Sequence, residues 1–483
     1  MKKNINFYEV TKVIIIVSFI GFFTFLLDHS NRPDAGLYHL PYISILNEEK
    51  ILIGSVNLHF RFGHISSLQY FFSIFNNLIF GDNGILIPLT IIFGTVIVYF
   101  YKEFLNNKIL IIKLFSLFSL IFILTSMNRY SGFGNDDPAH MFYLIATCYF
   151  LKFYLEETNK QINFDILSIY CLYTFSIKQF YALIVFLPLF LIVSNYKKIK
   201  IFSKSNIFAA FFLCLWLLKN ILATSCILYP INFTCLETLK WSPKNSFSSA
   251  ERVSISSEAW AKAFPDRLDK SRNYIDHLSD YKWIEGWYKN HFKVVMKKIL
   301  PLILIIITFY VWFLINKKIK KTKKLNRSIY LILSFNLLFI VIWFFKFPTY
   351  RYGAAYIGTF FIVNGLIFLN DENFLNISKK LINSVLIILT IFILTKNSNR
   401  IINNYDLKYQ DYPWPKKNSF TKYNKKNQNL PVMKNNTTIY YTAYPYTLCM
   451  YSKSPCTSFR DLKISREITK FNYKIFSTEN KKY

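Results

Sequence analysis

Five short stretches set acids and bases beside the hydrophobic runs of an apolar chain. They are RPDAGLYHLP (32–41), NLHFRFGH (57–64), NRYSGFGNDDPAH (128–140), the lysine of FSIKQF (175–180) and FKFPTYRYG (345–353). Asp34, Asp136 and Asp137 supply carboxylates. Arg61, Lys178 and Arg351 supply cations, with Tyr38, His59 and Tyr352 beside them. A carboxylate next to a bound hydroxyl can take its proton as a general base. Lysine and arginine can hold a phosphate and stabilise charge on a leaving oxygen. Each residue also has a plain structural use. Asp34 suits an N-cap before AGLYHL, and Asp136 and Asp137 ahead of Pro138 read as helix-start signals. Lys178 and Arg351 could anchor helix ends by reaching toward headgroups. His59 and His64 stand five apart, off the i, i+4 spacing of helical metal ligands. His29, Arg32 and His39 are assigned no role.

The elements that must position these groups follow from composition. The chain of 483 residues is 53% hydrophobic and only 18% charged, and its apolar residues fall in blocks. Blocks of about 15–20 residues can cross a bilayer core as helix, and helices satisfy their own backbone groups in lipid. Strand alternation is absent, which argues against a β-barrel. Candidate spans are 10–27, 84–101, 109–126, 138–155, 164–177, 179–194, 206–222, 299–315, 328–346, 353–369 and 381–395. The fold class is therefore an all-α polytopic membrane protein with about eleven transmembrane helices. The first span follows a basic MKK but no small-residue cleavage site follows it, so it reads as a retained anchor.

The net charge of +31 sits largely in loops and a polar C-terminal tail. Basic loops beside membrane helices follow from topology and anionic lipid rather than from nucleic acid. NYKKIKIFSK (195–204) and NKKIKKTKKLNR (316–327) should both be cytoplasmic. The N-terminus then lies inside and the C-terminus outside, and all five chemical stretches reach the external face. Residues 1–395 form the transmembrane unit and 396–483 a small external segment. The first external loop, 28–83, holds a helical apolar pattern from Ile65 to Ile79 and a shorter helix from Asp34 to Glu48 interrupted near Pro41. The large loop 223–298 is Ser-rich and then aromatic, and TTIYYTAYPY in the tail reads as a strand.

Cys226, Cys235, Cys449 and Cys456 all fall in external segments. An oxidising side would permit two disulfides, with local pairing the simplest arrangement and cross-pairing left open. Zinc is the rival use, and no CxxC supports it.

RPDAGLYHLPYISIL resembles the first external loop of GT-C glycosyltransferases, which include protein O-mannosyltransferases and the transferases that add aminoarabinose to lipid A. Asp34 and Tyr38 match the acid and the aromatic that open that loop, and Ala35 stands where a second acid is common. FGNDDPAHMFYLI resembles the second external loop, with Asp137 the better match and Asp136 beside it. FSIKQFYALIVFLPL resembles a hairpin with lysine at its tip, and FPTYRYGAAYIG an Arg-Tyr entry to a late span. A closer likeness, through YHLP, NLHFRFG and LCMYSKSPCT, is to a poorly characterised bacterial branch of polytopic proteins.

The resemblance implies a GT-C-like bundle in the inner membrane that transfers a sugar from a polyprenyl-phosphate donor, with inversion, to a lipid, glycan or protein of the cell envelope. Asp34 would be the base. Asp137 would orient the acceptor or bind a divalent metal, with no other cofactor implied. Lys178 and Arg351 would meet the donor phosphate, and Tyr38, His59, Arg61, Asp136 and Tyr352 would line the substrate. The partners are thus the lipid-linked donor, the acceptor and membrane lipid. Two other functions fit a polytopic chain: an O-antigen-type polymerase, which would rely on arginine-rich external loops, and a transporter or flippase of lipid-linked glycans, which would show inverted repeats.

Overall fold

The computed structural model describes residues 7–27, 34–77, 79–80, 84–127, 134–244, 248–267, 269–316, 327–369, 379–404, 430–434, 437–441, 449, 454–457 and 464–478. Asp28, His29, Arg32 and Arg129, and residues 317–326 of the second basic loop, lie outside them.

Each of the eleven apolar runs falls on a helix. Helix α1 is Phe7–Leu27. In the first loop, α2 is Leu40–Glu48 and α3 is Leu68–Phe75. There follow α4 (Leu86–Asn106), α5 (Leu110–Ser126), α6 (Asp136–Leu155) and α7 (Lys160–Ile177). Then come α8 (Phe186–Asn195) and α9 (Lys204–Thr224). The second large loop holds α10 (Ala250–Ala261), α11 (Tyr274–Leu278) and α12 (Trp283–Trp287). The last four helices are α13 (Lys293–Asn316), α14 (Arg327–Lys346), α15 (Tyr350–Leu369) and α16 (Lys379–Asn404).

Among the described residues, six helical stretches are long and apolar enough to cross a membrane: Phe7–Phe25, Leu86–Asn106, Gln179–Lys198, Lys204–Thr224, Trp283–Val311 and Arg327–Lys346. The large apolar side chains of Phe19, Ile20, Phe208, Phe211 and Leu215 are half or more exposed. Such a belt is covered by lipid rather than water. Helix α6 is different. It packs against α7, α15, α4 and α5, and every residue from Pro138 to Cys148 is buried. A helix shielded by neighbours need not be uniformly apolar, and α6 carries Asp136, Asp137, His140 and Lys152. At its far end Lys152 pairs with Glu103 of α4 at 2.6 Å. Helices α1 and α4 approach closely because a side chain at Gly94 would collide with Ser18.

Three expected boundaries shift for local reasons. The helix entering at Asp34 is not broken at Pro41. Instead a π-helical turn, Ala35–His39, precedes α2, whose first turn contains Pro41. Proline has no N–H to donate, so a widened turn ahead of it keeps the chain helical. Helix α3 stops at Phe75, because the Asn77 side chain takes the backbone N–H groups of Ile79 and Phe80 at 3.0 and 3.1 Å. Leu78, part of the expected helix, lies outside the described residues. The aromatic end of loop 223–298 is not loop: α12 runs through a π-helical turn, Tyr288–Phe292, straight into α13.

Past α16 the chain forms short strands, β1 (Leu430–Lys434), β2 (Thr437–Tyr441) and β3 (Cys456–Thr457), in the order β1-β2-β3. A separate antiparallel pair joins β4 (Ile464–Ile468) to β5 (Lys474–Thr478). Disulfides join Cys226 to Cys235 and Cys449 to Cys456.

The tail docks on the first loop. Ile53 and Phe476 exchange backbone contacts across β5, Ile53 N–H donating to Lys474 O at 3.0 Å and Phe476 N–H to Ile53 O at 2.9 Å. Gly54 has φ 71°, and a side chain there would collide with the Phe476 carbonyl, so this approach requires glycine. The fully buried Asn57 amide donates to Trp241 O at 2.9 Å and to Phe476 O at 3.0 Å, and accepts from Thr478 Oγ1 at 3.1 Å. Asn57→Ala strands several buried polar groups, so it should weaken docking of β5 by about 2–4 kcal/mol. Hydrogen exchange at Lys474–Thr478 in detergent is the measurement, and unchanged protection there would contradict this account of the dock.

Candidate functional site

Four chain segments meet at one end of the bundle. Asp34 opens the π-helical turn, Asp136 and Asp137 form the first turn of α6, Lys178 ends α7, and Arg351 stands in the first turn of α15. The Asn135 side chain ties two of them together by donating to Ile177 O at 3.1 Å. An arginine at a helix N-terminus faces the positive end of the helix dipole and needs nearby negative charge. Arg351 finds two carboxylates. Its Nε donates to Asp136 Oδ2 at 3.0 Å and its Nη1 to Asp34 Oδ2 at 3.2 Å. Asp136 also pairs through Oδ1 with the Lys178 ammonium. The order along the network is therefore Lys178, Asp136, Arg351, Asp34.

Exposure grades along it. The Lys178 side chain is 9% exposed, Asp136 19%, Arg351 34% and Asp34 39%. Asp34 is thus the carboxylate that a ligand reaches first. Aromatic rings hold the cations from below. Tyr352 stacks on Phe180 at 4.1 Å and lies 4.7 Å from the Lys178 ammonium and 5.4 Å from the Arg351 guanidinium. At 9% exposure it is a platform for charge.

Arg61 differs from the other two cations. Its guanidinium lies over Phe60 at 5.0 Å and over Tyr38 at 5.5 Å. Among the described residues it makes no ion pair with a carboxylate, although its field reaches Asp34. A planar cation stacked on two rings, with no acid of its own, is a position for an oxyanion.

The charges act on one another. Burial opposes ionisation of Asp34, but Arg351, Arg61 and a hydrogen bond from Arg351 hold its carboxyl below the ordinary range. Burial pushes the Tyr38 hydroxyl up to about 12, helped by Asp34. Burial lowers His39, His59 and His64 to about 3, each with Arg61 adding to the effect, so all three are neutral at physiological pH.

The candidates singled out from sequence separate as follows. Asp34, Asp136, Lys178 and Arg351 form the network, with Tyr38, Arg61 and Tyr352 around it. Asp137 lies beside Asp136 on the first turn of α6, with its charge acting on Tyr350. His59 is 2% exposed, and its Nδ1 accepts the Arg61 backbone N–H at 3.1 Å, which caps the turn Phe60–Gly63. The half-cystines lie in the second large loop and in the tail. Among the described residues no group of three or more His, Cys, Asp or Glu side chains comes together as a metal-ligating cluster.

His39, given no role from sequence, belongs beside the network. It feels Asp34, Arg351, Lys178 and Arg61, and its ring lies 4.2 Å from that of Tyr38. Its Nδ1 is buried with no hydrogen-bond partner among the described residues. The signal lay in the five-residue step from Asp34. On an ordinary helix that step points away, whereas a π-helical turn brings it back toward the same side.

No curated protein and no solved structure matches the chain. Residues 1–358 match a family described as Domain of unknown function (DUF8201). That stretch holds every member of the network and ends seven residues past Arg351, before the strands of the tail. The chain therefore belongs to the DUF8201 family.

Proposed function

We propose that the protein is an integral membrane glycosyltransferase of GT-C-like architecture, crossing the inner membrane about eleven times. It moves a sugar from a polyprenyl-phosphate donor to a cell-envelope acceptor on the outer face. The observation that carries this reading is Arg351 bridging Asp34 and Asp136 at one end of the bundle, with Lys178 paired to Asp136 and Arg61 making no ion pair among the described residues.

In this mechanism the donor phosphate approaches Arg61 and competes with Asp34 for the Arg351 guanidinium. Asp34 is thereby released as an ionised, part-exposed base. It takes the proton of the acceptor hydroxyl, whose oxygen attacks the anomeric carbon from the side opposite the phosphate. The bond from that carbon to the phosphate oxygen breaks, and the electron pair leaves with the polyprenyl phosphate, held by Arg61, Lys178 and Arg351. One displacement inverts the centre. Asp136 keeps Lys178 and Arg351 in place throughout. Asp137 would orient the acceptor, or would hold a divalent metal if one is bound.

The test compares envelope glycans and lipid-linked sugars in cells with the protein, without it, and with Asp34→Asn at equal expression. The reading expects the deletion to accumulate a lipid-linked sugar and lose a glycan modification, and the variant to match the deletion. An unchanged lipid-linked pool in the deletion would overturn the reading.

A further inference from the structure

A second feature lies further along the first loop, beside α2. Tyr38 faces the charge network, whereas Tyr42, one turn on, lines a cavity of about 620 Å³ between the first loop, α3 and α9. That size falls within the range of small-molecule sites. The walls are mostly aliphatic and aromatic. They include Ile51, Phe71 and Leu215, which are 42%, 45% and 50% exposed, so the cavity is continuous with the apolar belt.

The polar groups of the lining divide into two sets. Several are already matched: Glu49 pairs with Lys474 at 2.5 Å, and Ser67 bonds Ser176 at 2.8 Å. Ser73 likewise donates to Tyr70 O at 2.8 Å, and three further lining groups are nitrogen donors. Trp216 is 4% exposed, and its indole N–H has no partner among the described residues. Lys219, one turn further along α9, and Lys50 at the loop form no ion pair among the described residues. A buried donor without an acceptor costs stability, and an unpaired lysine within a span marks a functional position.

We propose that this cavity binds an anionic phospholipid entering from the membrane, its acyl chain against Phe71 and Leu215 and its phosphate on Lys219 and the Trp216 N–H. An apolar wall that meets a buried indole N–H and two lysines fits a ligand with an apolar chain and an acceptor-only head. The site is separate from the Asp34 network and does not depend on the transferase reading. Its place against α2 makes it a support for the helix that follows Asp34 and the π-helical turn carrying Tyr38.

The experiment is native mass spectrometry of the full-length protein in detergent, titrated with phosphatidylglycerol or phosphatidylcholine, alongside thermal unfolding. Wild type is expected to retain phosphatidylglycerol preferentially and to unfold at higher temperature with it. Lys219→Met should weaken that binding about tenfold and Trp216→Phe about fivefold, whereas Lys219→Arg should keep it. Equal retention of the two lipids would overturn the proposal. So would unaltered phosphatidylglycerol binding in both Lys219→Met and Trp216→Phe, or equal stabilisation by inorganic phosphate alone. If Lys219→Met does not fold, Trp216→Phe and Lys219→Arg decide the matter by the same readouts.

Discussion

Asp34→Asn is expected to lower sugar transfer by about 10²–10⁴-fold, the range spanned by loss of a general base. The amide keeps the size and shape of the carboxylate, so α2 and its neighbours should stay in place. What is lost is the acceptor for the hydroxyl proton. The Arg351 Nη1 bond at 3.2 Å also changes from charge-assisted to neutral. Donor binding should be preserved or improved, because Asp34 no longer competes with the phosphate for Arg351. A fall in kcat with KM unchanged or lowered is therefore the expected signature, measured in membranes with equal amounts of each protein. Normal turnover by Asp34→Asn would remove Asp34 from the role of base, and Asp136 is too enclosed to replace it without rearrangement.

Arg351→Met should have the second large effect, and it should be visible in pH dependence as well as in rate. Removing a donor that stabilises a developing oxyanion costs about 10²–10³-fold. The sign of the pH effect follows from Asp34. In the folded protein its carboxyl lies below the ordinary range, because Arg351 and Arg61 outweigh burial. Its charged form therefore contributes stability that is fully present above the unfolded carboxylate pKa of about 3.9 and is lost as pH falls through the folded value. Without Arg351, burial still opposes the charge and only Arg61 and the neutral neighbours remain. The folded pKa should rise, and the acid limb of the residual activity should move to higher pH. Residual activity with an unshifted acid limb would show that Arg351 does not set the charge of Asp34.

Much of this site was readable one segment at a time. Apolar blocks announce helices because lipid leaves the backbone no other partner, and acids and bases at their ends stand out against such blocks. Asp34, Asp136, Lys178 and Arg351 could be picked by type and position in that way. The choice between Asp136 and Asp137 could not. The two are adjacent at the start of α6, and their side chains leave the helix about 100° apart. Only the packing of α6 against α7 and α15 turns Asp136 toward both Lys178 and Arg351. His39 cannot be picked in that way, because its alignment with Asp34 depends on a π-helical turn, whose period no ordinary helical pattern reveals.

The amino-acid sequence by itself determined that this chain is a bundle of apolar helices with chemistry gathered at helix ends, since hydrophobic periodicity and end charges are local properties. Tertiary structure alone decided which charges meet. Arg351 and Asp34 are 317 positions apart, and their contact depends on the first turn of α15 lying beside Asp34 in the packed bundle. The same holds for the docking of β5 on Ile53 and Asn57, and for the gathering of Trp216 and Lys219, without partners among the described residues, around one cavity. Polar atoms satisfy one another only at contact distance, so their pairing, and any donor left without a partner, emerges when the helices have packed.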